Sequence, residues 1–151
     1  MKWGFGLLML LPLFCGAQEI ILLDRHFKEP IQFTRSFTRE ALNSNFPVYR
    51  ADIDAIIHIT ETLLAAIRSG NKPEQGARIL QAGHSRLTIL GRSSGIYSTQ
   101  LVVLTSRSGN KGATLELLTE KDGTKKAAQK LLVFLDYLKN NRSIWAPERL
   151  P

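Results

Sequence analysis

Residues 77–121, ARILQAGHSRLTILGRSSGIYSTQLVVLTSRSGNKGATLELLTEK, decide the fold. Four apolar segments are separated by turn chemistry. Ala77–Ala82 runs into Gly83-His84, and Ser85–Gly91 follows it to Ser93-Ser94-Gly95. Ile96–Thr105 contains the apolar centre LVVL, and Ser108-Gly109-Asn110-Lys111-Gly112 is a strong loop signal. Ala113–Thr119 is the last segment, closed by Asp122-Gly123. Glycine, serine and asparagine between β-prone runs mark hairpins. Short connections between consecutive strands force antiparallel pairing, so the stretch reads as a four-stranded meander.

An amphipathic helix is expected on each side of it. In residues 50–69, Ile53, Ile56, Ile57, Thr60, Leu63, Leu64 and Ile67 recur at helical spacing. Asp52 or Asp54 suits the electropositive start of this helix, and Gly70 suits its end. In residues 124–140, Ala127, Ala128, Leu131, Leu132, Phe134, Leu135 and Leu138 form a wide apolar stripe, and Thr124 can cap it. Further out, Glu19–Phe27 reads as a strand. Residues 31–49 are mixed, with Phe33, Phe37 and Phe46 as core anchors and a short helical turn at Thr38–Leu42. The tail 141–151 contains Trp145, and reads equally as a docked end or a loose arm.

The fold class is therefore α+β. An antiparallel sheet of about four to five strands packs against two amphipathic helices, with one sheet face partly open. Arg78, Arg86, Arg92 and Arg107 are candidates for that open face, which would make it a basic platform.

The N-terminus bears on location. Met1-Lys2, the apolar run WGFGLLMLLPLF and the small residues Gly16-Ala17 have the order of a secretory signal peptide at residues 1–17. The run is too short to span a bilayer. Residues 18–151 then form a single domain, exported to the periplasm or secreted. Cys15 is the only cysteine, so the exported part has no disulfide and relies on packing. A bacterial source is the simpler setting for such a domain. Lipid anchoring through Cys15 is disfavoured, because bulky Phe14 precedes it where a lipobox wants a small residue.

The chain carries 20 Lys+Arg against 13 Asp+Glu, a formal charge of +7. Such a balance keeps a protein soluble and favours anionic partners. Nucleic acid is a poor candidate, since export separates the chain from most of it and Tyr97 is the one evident stacking aromatic on the strands.

No motif assembles a coherent catalytic set. Gly91-Arg92-Ser93-Ser94-Gly95 matches G-x-S-x-G, but a strand follows it where a nucleophile elbow requires a helix. Asp54, His58 and Glu61 share one helix face with a spacing that suits a metal or an acid–base pair. The same spacing describes an ordinary solvated face. Asp24 and His26 share one side of a strand, without an evident nucleophile. Asn141-Arg142-Ser143 is a glycosylation sequon, relevant only in a eukaryotic source.

The resulting expectation is a small, exported, basic, non-enzymatic binding module with an unknown protein or anionic surface as partner. No cofactor or metal is implied. Arg86, Arg92, Arg107 and Trp145 are the candidate binding residues. Two alternatives stay open. One is a small hydrolase built from His26, His58 or His84 with an acidic partner. The other is a carrier with an apolar cavity between helices and sheet.

Overall fold

A computed structural model describes residues 20–29, 39–70, 76–94, 97–108 and 111–145. The expected signal peptide, Phe33, Phe37 and the tail beyond Trp145 lie outside the described residues. The fold is α+β, with a four-stranded antiparallel sheet and a separate two-stranded ribbon.

The meander forms as its turn signals predict. Strands β3 (Gly76–Ala82), β4 (Ser85–Ser94), β5 (Tyr97–Ser108) and β6 (Lys111–Leu118) pair in chain order. Leu80, Leu87, Leu104 and Leu115 stand opposite one another across the strands. Ile89 stands opposite Val102. These side chains share the covered face. The next residues along each strand point to the other face, because strand side chains alternate. A bulge between Val102 and Val103 shifts the register near the end of β6.

Strand β1 (Ile20–Asp24) does not join this sheet. It pairs antiparallel with β2 (Asn45–Tyr49), so that Leu22 faces Pro47 and Leu23 faces Phe46. Each strand of a ribbon keeps one edge free, which is where a proline without an amide hydrogen is tolerated. Ile21, Leu22 and Leu23 are all buried, as are Phe46, Pro47 and Val48. Burial of consecutive strand residues means that both faces of the ribbon are covered. Strand β2 lies against β5 and β6. A short helix, α1 (Arg39–Ser44), leads into it.

A 3-10 turn at Arg50–Asp52 opens helix α2 (Ile53–Arg68), which buries the seven residues expected from its spacing. Helix α3 (Thr124–Asn140) buries Ala127, Leu131, Phe134, Leu135, Tyr137 and Leu138. The two helices pack on each other, and α3 also packs on β6. Arg142–Trp145 adds a short final helix, α4, whose Trp145 is 2% exposed.

Buried carboxylates hold the turns in place. Asp52 occupies the N-cap position of α2 without capping it. Its Oδ2 instead accepts the His84 amide at 2.9 Å and the Ser85 hydroxyl at 3.2 Å. Gly83 in the same turn has φ +62, a conformation that glycine adopts without cost. Thr124 does not cap α3 either; Gly123 stands at its N-cap. Two lysines open that helix, an unfavourable arrangement at the positive end of its dipole. Asp122 offsets them. It is buried, accepts the Thr119 amide at 3.0 Å and binds the Lys130 Nζ at 2.6 Å.

Candidate functional site

The clearest unoccupied surface among the described residues is the sheet face turned away from the core. Its rows follow from the strand register. Ile79, Thr88, Val103 and Glu116 form one row, and Gln81, Arg86, Thr105 and Thr114 the next. Ile79 is 59% exposed and Leu90 38% exposed, and the register sets both on this face. Arg86 and Arg92 alternate with buried Leu87 and Ile89 along β4, so both arginines stand on the open face. Arg86 Nε donates to Gln81 Oε1 at 3.2 Å, and Arg92 pairs with Glu120 at 3.5 Å.

Of the four arginines expected there, the structure places two. Arg78 stands opposite core-facing Ile89 and so belongs to the other face, exposed at the sheet edge. The backbone of Arg107 pairs with Gly112, and its side chain lies outside the described residues. Glu116 and Glu120 accompany the arginines, so the platform is mixed in charge and apolar at its centre. Ile79 and Leu90 were the missed contributors. Their exposure follows from the register, which no local pattern reports.

Trp145 stands apart from this face. Its ring packs edge-on against Tyr137 with centroids 5.4 Å apart, and its Nε1 has no hydrogen-bond partner. A buried indole offers a partner no surface. It packs Arg142–Trp145 against α3.

The three histidines stand exposed on different elements. His26 follows β1, where Asp24 accepts the amides of His26, Lys28 and Glu29 at 2.9, 3.1 and 3.1 Å. Burial works against ionising Asp24, but the three amides together outweigh it and hold the carboxyl below the ordinary range. This clamp keeps Phe27 at φ 56, and the Phe27 ring packs 5.0 Å from Phe134. His58 lies between Asp54 and Glu61 on α2. Arg142 grips Asp54 at 2.6 and 2.9 Å, and Lys139 pairs with Glu61. The acidic face of α2 is thus an attachment line for α3 and α4. Among the described residues no three His, Cys, Asp or Glu side chains converge as metal ligands.

His84 meets a carboxylate and a serine. Its Nδ1 lies 3.6 Å from Asp52 Oδ1, and its ring lies 4.3 Å from that of Tyr49. Ser85 is fully buried and donates to Asp52. A nucleophilic serine must donate to the histidine and face its substrate. The trio therefore secures the β3–β4 turn. Gly91–Ser94 of the G-x-S-x-G match continues strand β4, so it builds no elbow.

No helix among the described residues is long and apolar enough to cross a membrane. Comparison with known protein families, with curated proteins and with solved structures finds no match.

Proposed function

We propose that this chain is a small, exported, basic binding module without catalytic activity, acting on a partner in the periplasm or outside the cell. One observation carries the reading. The open sheet face sets exposed Ile79 and Leu90 among Arg86 and Arg92, with no described element packed over them. Apolar side chains rimmed by arginine are the composition favoured in recognition surfaces. The export reading rests on residues 1–17 and the basic character on the charge of +7. A protein is favoured over a purely anionic surface, because the centre of the face is apolar and Glu116 and Glu120 interrupt its positive charge.

The test is affinity capture with the purified protein as bait and the envelope and secreted fraction of its source as prey. Ile79→Glu/Leu90→Glu and Arg86→Glu/Arg92→Glu variants run in parallel, with low-salt and high-salt washes. A partner retained at high salt by the natural face and lost by the first variant supports the reading. Capture lost at high salt and by the arginine variant alone assigns an anionic surface. Identical capture by all three baits overturns the open face as the site.

A further inference from the structure

We propose that the groove between β6 and α3 is a second docking site, taking an extended segment of a partner protein that adds to the outer edge of β6 and sets an acidic side chain against Lys126. The site meets the open sheet face only at Glu116 and is tested independently of it.

A groove of about 400 Å³ lies where α3 crosses β6. Glu116 and Leu117 form its strand wall. These are consecutive residues, one exposed and one buried, so their side chains leave opposite faces of the sheet. A cavity that touches both lies against the strand edge itself. That edge is unpaired among the described residues, since β6 is last in the sheet order. Its backbone polarity is readable from a neighbour. Arg25 Nη1 donates to the Thr114 carbonyl at 2.9 Å, so that carbonyl points off the edge. Two residues further on, strand alternation turns the N–H and C=O of Glu116 outward as well, at the last regular position before the bulge at Leu117. Arg25 closes the edge at Thr114 and leaves it open at Glu116. An unpaired donor and acceptor beside a groove is the arrangement that β-augmentation uses.

The opposite wall gives the occupant its chemistry. Lys126, Gln129, Lys130 and Val133 follow one another at helical spacing along α3. The turn after β6 is short, so the lysines sit beside the C-terminal end of the strand. Val133, half-exposed, and Phe27 supply apolar surface. Asp122 binds Lys130 closely at 2.6 Å, whereas Lys126 stands 3.6 Å away with a side chain 68% exposed. Lys126 is therefore the cation a carboxylate can recruit. Glu116 repels the same carboxylate from the strand wall. An antiparallel segment would enter with its acidic residue first and place alternate apolar side chains over Phe27 and Val133.

The probes are capped hexapeptides, acetyl-Asp-Thr-X-Thr-X-Thr-amide with X as Val, Leu or Phe, so that the acid and both apolar side chains share one face, titrated to about 1 mM into the ¹⁵N-labelled protein, a range that detects weak binding. The expected result is shifts at the amides of Glu116, Leu117 and Leu118 with at least one probe. Replacing Asp by Lys in that probe, or Lys126→Glu in the protein, should weaken binding about two- to fivefold, as for an exposed charge pair. Methylating the peptide nitrogens that face β6 should abolish it. Lys126 is exposed, so an unchanged thermal midpoint confirms that its variant is folded. No shift at residues 116–118 with any probe, or binding indifferent to N-methylation, overturns the proposal. Shifts confined to Ile79 and Leu90 overturn it too, and leave the open face as the binding surface.

Discussion

Replacing Gly83 by alanine should damage this fold far more than its position in an exposed turn implies. At φ +62 a side chain costs about 1–2 kcal/mol, because Cβ crowds the following carbonyl. Reduced freedom of the unfolded chain returns about 0.4–1 kcal/mol. The local effect is therefore about 1 kcal/mol. The larger effect is a collision. A Cβ at residue 83 would lie 1.9 Å from Asp52 Oδ1 and 2.7 Å from its Cγ. Asp52 has no free direction to retreat, being buried with Oδ2 bonded to the His84 amide and the Ser85 hydroxyl. Loss of one such bond to a charged acceptor costs about 1.5–3 kcal/mol, and Ser85 would be left buried without a partner. Gly83→Ala should thus destabilise by about 2–4 kcal/mol, read by urea denaturation with the linear extrapolation. In an Asp52→Ala background the collision is gone, and the same substitution should cost only about 1 kcal/mol. Equal costs in the two backgrounds, or less than about 1 kcal/mol with Asp52 present, would mean that Asp52 yields to the new methyl without losing its bonds.

Acid should unfold the protein through its turn carboxylates. Asp24, Asp54 and Asp122 are all held below the ordinary 3.8. Arg142 is the main cause at Asp54; at Asp122 burial opposes ionisation, but Lys130 and the Thr119 amide outweigh it. A carboxylate depressed in the folded state contributes fully above its unfolded value and loses that contribution as pH falls through its folded value. The urea midpoint should hold between about pH 7 and 5 and drop below about pH 4, with a shallower drop in Asp24→Asn; a midpoint that rises below pH 4 contradicts this. Trp145→Ala should cost about 3–5 kcal/mol, as for other buried aromatics. Trp145→Phe should cost clearly less, because the indole N–H it removes has no partner; equal losses would show that the N–H matters. Asp122→Ala should cost about 1–3 kcal/mol, near the low end because Lys130 can turn to water. It should exceed the effect of Asp54→Ala, whose partner Arg142 lies in solvent; the reverse order would mean that α4 depends on that ion pair.

The meander and both long helices were legible because each carries a strong local signal. Turn residues divided the strands, and a 3.6-residue apolar period marked α2 and α3. Strand β2 was not legible. NFPVY is short, contains a proline and is buried on both faces, so neither alternation nor length identifies it. The ribbon it makes with β1 depends on pairing across a long separation in sequence. The helix caps misled for a related reason. Asp52 and Thr124 occupy positions where capping is common, but Asp52 is drawn to a turn more than 30 residues away. Arg86 and Arg92 could be proposed for the open face from composition, whereas Arg78 could not be excluded from it until register set its parity opposite to that of Arg86. The apolar stripe expected of α3 does not include Tyr137, which is buried. Its hydroxyl accepts the Asp24 amide at 2.8 Å, so a long-range contact pays for its burial.

The same contacts bear on how the chain's net charge of +7 is distributed. Asp24 and Asp52 are committed mainly to backbone amides and a hydroxyl, and Asp122 is buried under Lys130. Those carboxylates serve turns and lie at or beneath the surface. Exposed cations such as Arg68, Arg78, Lys121 and Lys125 have no matching burial. Local potential depends on where charges sit as well as on their sum. Asp52 and Asp122 are buried to hold turns, whereas Glu29, Glu40, Asp54, Glu116, Glu120 and Asp136 stay exposed, so the described exterior carries both signs. The net positive charge would steer acidic partners toward both proposed sites, while the apolar residues at each would decide which partner stays. The predicted signature is one of rates. Raising salt should slow association at either site and leave dissociation from the Ile79–Leu90 face nearly unchanged.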